Sequence, residues 1–264
     1  MNVVESSIIE YVSSSDTAKA VIFTEKPVFE VLSPQLSLIV PTYREADNIQ
    51  EFIIRVEDAL KDIPFEIIIV DDNSPDGTAK LAKELNSEYG NIKVLERPGK
   101  LGLGSAVFDG FKMAEADVLA VLDADLQHPP ELLPKMYAKI LEGYSFVIAS
   151  RYVDGGGVES WGSMRRIVSL GATKLAHLLI PKARAVKDPM SGFFMIRREC
   201  ISGFKPSSKG FKILLEILVK GKYGSVIEVP YTFQPRINGE SKLNMRENLS
   251  YLLLLAKLGL NLLK

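Results

Sequence analysis

The chain has 264 residues, a formal net charge of -1 and an ordinary share of charged and apolar side chains. That length suffices for a real hydrophobic core, in one large domain or two small ones, and the charge balance gives no reason to expect nucleic acid as a partner. One cysteine, Cys200, excludes an intramolecular disulfide and suits a reducing compartment.

Residues 1–20 carry Glu5, Glu10 and Asp16 and lack a basic lead into an apolar run, so they do not read as a secretory signal. Residues 20–24 and 28–32, parted by Lys26-Pro27, suit an added hairpin. A regular rhythm then begins. Residues 36–40, 65–70, 92–95 and 117–122 are short apolar runs bounded by turn residues and predict buried strands. Residues 46–61, 76–88 and 103–114, between them, predict helices. Such alternation implies an α/β fold, a mostly parallel open sheet with helices on both faces.

After Ser150 the rhythm loosens. Asp154-Gly155-Gly156-Gly157 marks a flexible loop, residues 165–179 an amphipathic helix, residues 193–197 and 225–229 further strands, and residues 211–220 a helix between those strands. No stretch reaches the roughly 18 uninterrupted apolar residues that span a bilayer, so a soluble or peripheral chain is expected. The segment 249–264 is strongly apolar. On a helical wheel Ser250, Lys257, Asn261 and Lys264 share one narrow sector and leucines cover the rest. As a helix it would be about 24 Å long, against roughly 30 Å of hydrocarbon core. It suits a membrane interface, a contact with a small membrane subunit, or a lead into spanning helices.

Ligands of open α/β sheets bind beyond the carboxyl ends of the strands. The residues there are Pro41-Thr42-Tyr43-Arg44-Glu45, Asp71-Asp72-Asn73-Ser74 and Asp123-Ala124-Asp125-Leu126-Gln127. Three strand ends thus deliver carboxylates to one edge, where like charges raise each other's pKa and oppose burial. A divalent cation removes the conflict. Oxygen donors suit Mg2+ or Mn2+, which take one or two carboxylates and complete their shell with phosphate oxygens and water. Competing motifs fail: no segment matches a P-loop, and Gly102-Leu103-Gly104-Ser105-Ala106-Val107 opens the third helix rather than following the first strand. His128 and His177 are the only histidines and make no zinc cluster; His128, beside Pro129-Pro130, could approach the metal edge but reads first as a helix-start residue.

Residues 39–45 (IVPTYRE), 70–78 (VDDNSPDGT) and 123–130 (DADLQHPP) resemble the inverting family 2 glycosyltransferases. Ser150-Arg151-Tyr152, residues 188–194 (DPMSGFF), 210–216 (GFKILLE) and 236–243 (RINGESKL) narrow the likeness to the polyprenyl-phosphate (dolichol-phosphate) mannosyltransferases. The resemblance covers roughly residues 36–250, with the motifs in the same order.

It implies a GT-A fold over residues 36–248, preceded by an extension (1–35) of no assigned role and followed by the apolar helix 249–264. It also implies that Pro41, Tyr43, Glu45, Val70 and Asp72 hold the donor nucleoside, that Asp123, Ala124 and Asp125 lie along its diphosphate and sugar, and that Asp125 and Gln127 hold the metal. Arg151, Arg236 and Lys242 would reach donor or acceptor phosphates. The implied reaction moves mannose from GDP-mannose to dolichyl (polyprenyl) phosphate with inversion, at the cytoplasmic face of a membrane.

An acceptor phosphate is already anionic at neutral pH and needs no general base. It needs cations, and Arg151, Arg165 and Arg166 suit it because guanidinium binds phosphate bidentately. The expected catalytic set is therefore Asp123, Asp125, Arg151 and Arg165. A glucosyltransferase using UDP-glucose shares these motifs, and a non-catalytic nucleotide-binding scaffold would also be compatible with the fold.

Overall fold

The computed structural model describes residues 33–159, 162–206 and 212–236. The hairpin expected within residues 20–32, Lys242 and the apolar segment 249–264 lie outside the described residues.

The first four apolar runs form β1 (Leu36–Thr42), β2 (Phe65–Asp71), β3 (Ile92–Glu96) and β4 (Val118–Val121), paired in parallel in the order β3-β2-β1-β4. Between them run α1 (Ala46–Ala59), α2 (Thr78–Tyr89) and α3 (Leu103–Met113). α2 starts two residues later than the sequence predicts. Asp76 lies ahead of the helix as an acceptor for the Thr78 amide at 3.2 Å, and Gly77 turns the chain in the left-handed region (φ 87°).

Two further elements follow that the sequence reading had assigned to no element, α4 (Leu133–Leu141) and β5 (Phe146–Ser150). Then come β6 (Gly157–Val158), α5 (Ser163–Leu179), β7 (Phe194–Arg197), α6 (Ile213–Lys220), β8 (Val226–Pro230) and β9 (Thr232–Phe233). Among the described residues these complete a seven-stranded sheet in the order β3-β2-β1-β4-β7-β5-β8, with β7 antiparallel to both its neighbours. β6 and β9 pair separately. The architecture is the mostly parallel α/β sheet that the sequence predicts.

Strand alternation divides the core. Leu38, Val40, Ile67, Ile69 and Ala120 face α1, α2 and α4, while Ile39, Ile68, Val70, Leu119 and Val121 face α3 and α6. The chain leaves β1 for β2 on one side and reaches β4 on the other. The strand order therefore reverses between β1 and β4, and a crevice opens where their carboxyl ends diverge.

One helix approaches the sheet unusually closely. Gly110 of α3 packs on β1 and β2 so tightly that a Cβ there would stand 2.5 Å from Ile39 Cγ2 and 3.2 Å from Val70 Cγ2. Ile39 is fully buried and stiff at χ1. Gly110→Ala would gain about 1 kcal/mol of helix propensity but lose about 1–3 kcal/mol to overpacking. The expected result in chemical denaturation is a net loss of up to about 2 kcal/mol; a stabilised variant would show that the helix can move away from the sheet.

Candidate active site

Each of the three carboxylate-bearing strand ends turns through a non-glycine residue in the left-handed region. These are Arg44 (φ 59°) after β1, Asn73 (φ 57°) after β2 and Leu126 (φ 60°) after β4, and among the described residues no other non-glycine residue has positive φ. Such backbones cost about 1–3 kcal/mol each and persist where surrounding contacts over-determine them. The contacts are present. Asp71 accepts from Thr42 Oγ1 (2.9 Å), Ser74 N (2.7 Å) and Ser74 Oγ (2.6 Å), so it fastens the β2 turn to β1. Thr78 Oγ1 accepts from Glu45 N (3.0 Å) and donates to Asp76 (2.7 Å), and Asp76 also accepts from Ala46 N (3.2 Å). Against the pull of burial, these bonds hold the Asp76 carboxyl below its ordinary range.

Of the residues expected to hold a nucleoside, Pro41 and Val70 are register partners on β1 and β2. Val70 is fully buried, with its side chain against Gly110 of α3. Tyr43 lies beside two cations, Lys100 Nζ at 4.3 Å and Arg44 at 5.4 Å from its ring centre. Asp72 is clamped by Arg97 Nη1 (2.5 Å) and Gly102 N (3.1 Å). Glu45 is buried and accepts from Asn48 Nδ2 at 2.8 Å.

The β4 end supplies the core of the site. Asp125 is buried; its Oδ1 accepts from Gln127 N (3.1 Å) and its Oδ2 pairs with Arg236 Nη2 (2.5 Å). The Gln127 amide donates to Gln234 O at 3.1 Å. Asp123 keeps 40% of its side chain exposed. Its carboxyl is pushed up to about 7, by lost hydration first and then by Asp125 and Glu45, with Lys212 and Arg236 opposing. Among the described residues no cluster of three His, Cys, Asp or Glu side chains could enclose a metal. The donor set does fit a hard divalent ion that keeps water and phosphate oxygens: one buried carboxylate, a neighbouring amide, and an excess of negative charge that such an ion would relieve.

His128 stands two residues ahead of the 3-10 turn Pro130–Leu132 that leads into α4, and it also approaches the carboxylate edge, with Nδ1 3.6 Å from Asp123 Oδ2. It is buried, with its ring 5.5 Å from Phe193, 5.9 Å from Tyr231 and 5.6 Å from Phe233. Its Nδ1 accepts from the Asp123 amide at 3.2 Å, and burial above all lowers its pKa to about 4. A neutral ring thus braces the loop. The apolar residues that surround it come from the residue just before β7 and from the segment Tyr231 to Phe233 that runs into β9, which the local sequence around Pro129-Pro130 does not reveal.

The cations line the other side. Arg151 donates its amide (3.1 Å), Nε (2.8 Å) and Nη2 (2.8 Å) to Asp188, which is fully buried. Burial pulls the guanidinium pKa down, but the Asp188 pair outweighs it and the net shift is upward. The Arg165 pKa is lowered by burial and then by the charges of Arg151 and Arg236, with Asp125 opposing, which sets Arg165 electrostatically in the same cluster. Arg166, by contrast, is exposed. Sequence reasoning missed Arg97 and the structural part of Asp188. Arg97 stands one residue beyond β3, at the same sheet edge as the carboxylates, and its position could have marked it.

The pair between Asp188 and Arg151 yields a stability prediction. Asp188→Ala leaves a guanidinium buried without this partner and is expected to cost about 3–5 kcal/mol by denaturation. Asp188→Asn, which keeps an acceptor oxygen, should cost less. Equal losses would mean that packing, not the ion pair, holds this loop.

A sequence profile described as glycosyl transferase family 2 matches residues 37–203. A dolichol-phosphate mannosyltransferase of Pyrococcus furiosus is 49% identical over 218 residues, 83% of this chain; the chain spans 62% of that relative's length. Proteins of the same name from Saccharomyces cerevisiae (37% identical) and Mycosarcoma maydis (38%) match over 84% and 86% of this chain, and over 85% and 79% of their own lengths. Among solved structures, mannosyl-3-phosphoglycerate synthase from Rubrobacter xylanophilus has a TM-score of 0.64 at 22% identity, covering 88% of this chain and 74% of its own. Glucosyl-3-phosphoglycerate synthase from Mycobacterium tuberculosis, in complex with Mn2+, UDP and glucosyl-3-phosphoglycerate, has a TM-score of 0.62 at 19% identity, covering 89% and 87%. These likenesses show the fold as GT-A.

Proposed function

The chain belongs to glycosyl transferase family 2, and we propose that within it the protein transfers mannose from GDP-mannose to a dolichyl or other polyprenyl phosphate at a membrane surface. The observation that carries this reading is the Asp123–Gln127 loop at a strand end, with Arg236 paired to Asp125 and with Arg165 coupled electrostatically to Arg151, Arg236 and Asp125. One group suits a cation and the diphosphate it neutralises. The other suits a second anion beside it. The shared name of the relatives supports mannose and dolichol phosphate as the substrates.

Asp125 and Gln127 would hold Mg2+ or Mn2+, which when bound supplies Lewis-acid stabilisation of the departing diphosphate. Manganese in the complex of the mycobacterial synthase is in keeping with that choice. Asp72, Glu45 and the backbone at Pro41 and Val70 would receive the nucleoside, with Tyr43 beside them. Arg236, with Lys242, would take up charge on the diphosphate. Arg151, fixed in place by Asp188, and Arg165 would orient the acceptor phosphate, whose oxygen attacks without a protein base.

The membrane reading has its own support. No described helix is long and apolar enough to cross a bilayer. α5, which begins beside Arg165, nevertheless exposes Ile167 (63%), Val168 (53%) and Leu178 (70%). Such side chains suit contact with the lipid that carries the acceptor phosphate.

Two measurements test the proposal. With Mn2+ and a polyprenyl phosphate, a panel that includes GDP-mannose and UDP-glucose should yield glycolipid from GDP-mannose in preference to the others. Asp125→Ala should lower that turnover at least about a hundredfold; full activity of this variant in the presence of EDTA would remove the metal from the reading. Separately, Arg165→Ala should raise the KM for the lipid phosphate about tenfold and leave GDP-mannose affinity nearly unchanged. Equal loss of donor binding in a calorimetric titration would move Arg165 to the donor side.

A further inference from the structure

The residues proposed to hold the metal are already engaged, and both are engaged by one short segment. Asp125 Oδ1 is committed to the Gln127 amide at 3.1 Å, which shapes the turn through Leu126. The other oxygen, Oδ2, carries Arg236 Nη2 at 2.5 Å. The Gln127 side chain donates to Gln234 O at 3.1 Å, and Gln234 N donates back to Gln127 O at 3.1 Å. Residues 234–236 therefore lie across the metal loop like a strap. The strap has a fixed root. Immediately before it, β9 pairs with β6, Phe233 O accepts from Glu159 N at 3.0 Å, and the Phe233 ring packs on His128.

The Asp125–Arg236 pair is largely shielded, with 6% and 19% side-chain exposure. A buried carboxylate needs a counter-charge, and here a guanidinium supplies it. A divalent ion bound to Oδ2 would stand within a few ångströms of the guanidinium, and two cations held that close in a shielded site repel each other strongly. Arg236 has a second anion within reach of its task once it leaves, since the site is built for a diphosphate.

We propose that Arg236 is a built-in counter-cation for Asp125, displaced when the metal binds and passed to the donor's diphosphate, so that metal and donor binding are coupled through this one side chain. The inference rests on the metal-dependent reading above and adds a competition to it. Arg236 weakens binding of the metal alone. It strengthens binding of the metal and nucleotide together, because the displaced guanidinium then has a phosphate to meet.

The test is Mn2+ binding by the intact chain, read by electron paramagnetic resonance of the free ion, with no turnover involved. Arg236→Ala should bind Mn2+ alone about tenfold more tightly than the unaltered protein, within the usual range of coupling between sites. Arg236→Lys should lie nearer the unaltered protein, and a thermal melt confirms that each variant is folded. In the presence of GDP the order should reverse, with Arg236→Ala now the weaker binder. Lys80→Ala, which removes an exposed cation away from this loop, serves as the control for loss of one positive charge and should change Mn2+ affinity less than about twofold. Equal or weaker Mn2+ binding by Arg236→Ala would overturn the inference, and so would an equal gain in Lys80→Ala. Failure of every protein to bind Mn2+, with or without GDP, would overturn the metal reading itself.

Discussion

Mutual repulsion among carboxylates brought to one sheet edge is the constraint on which this structure turns. Glu45, Asp72, Asp123 and Asp125 come from the ends of three parallel strands, and parallel pairing leaves those ends no choice but to be neighbours. Most of the surrounding structure can be read as an answer to that crowding. Asp72 is neutralised by Arg97, Asp125 by Arg236, and Asp123 is eased by Lys212 and Arg236. What remains is a residual excess at Asp123, whose carboxyl sits at about 7. A fold selected for stability alone would not gather these groups. The left-handed turns at Arg44, Asn73 and Leu126 carry the same message in the backbone, since each is a local cost at a ligand-facing loop.

The opposite wall solves a different problem. Arg151 must stay charged and fixed while largely shielded from water, and Asp188 meets both needs through three hydrogen bonds. Asp188 is itself positioned by Glu228, which accepts from the amides of Lys187 (2.7 Å) and Asp188 (2.9 Å). The rigid pair can then receive an anion without reorganising, which is where electrostatic preorganisation has most effect. Cations interleaved with carboxylates in this way suit the proposed pairing of a leaving diphosphate with an attacking phosphate.

Much of this was legible in the sequence for a physical reason: parallel strands buried on both faces are continuous apolar runs, and the residues ending each run must lie at one edge. That logic located β1 to β4 and the Asp123–Gln127 loop. It weakened where contacts became non-local. β7 enters the sheet antiparallel between β4 and β5, which no local pattern announces. β5 is a fully buried apolar run as long as β3, and the same logic extended past α4 would have found it. The prolines after His128 do mark a helical start at Pro130, but the aromatic rings around His128, those of Phe193, Tyr231 and Phe233, come from segments far along the chain. The Asp188–Arg151 pair spans 37 residues and is visible only once the chain has folded. Leucine, finally, gives no sign that it will adopt positive φ, so the strain at Leu126 was beyond reach.

The central claim is a single displacement in which the acceptor phosphate attacks the sugar and no enzyme group is glycosylated. Its most direct test is the linkage in the product. Incubated with Mn2+, α-linked GDP-mannose and a polyprenyl phosphate, the protein should form a mannosyl-phosphate lipid whose anomeric configuration, read by NMR from the one-bond C1–H1 coupling, is β. An α-linked product would require two displacements or front-side attack and would contradict the account.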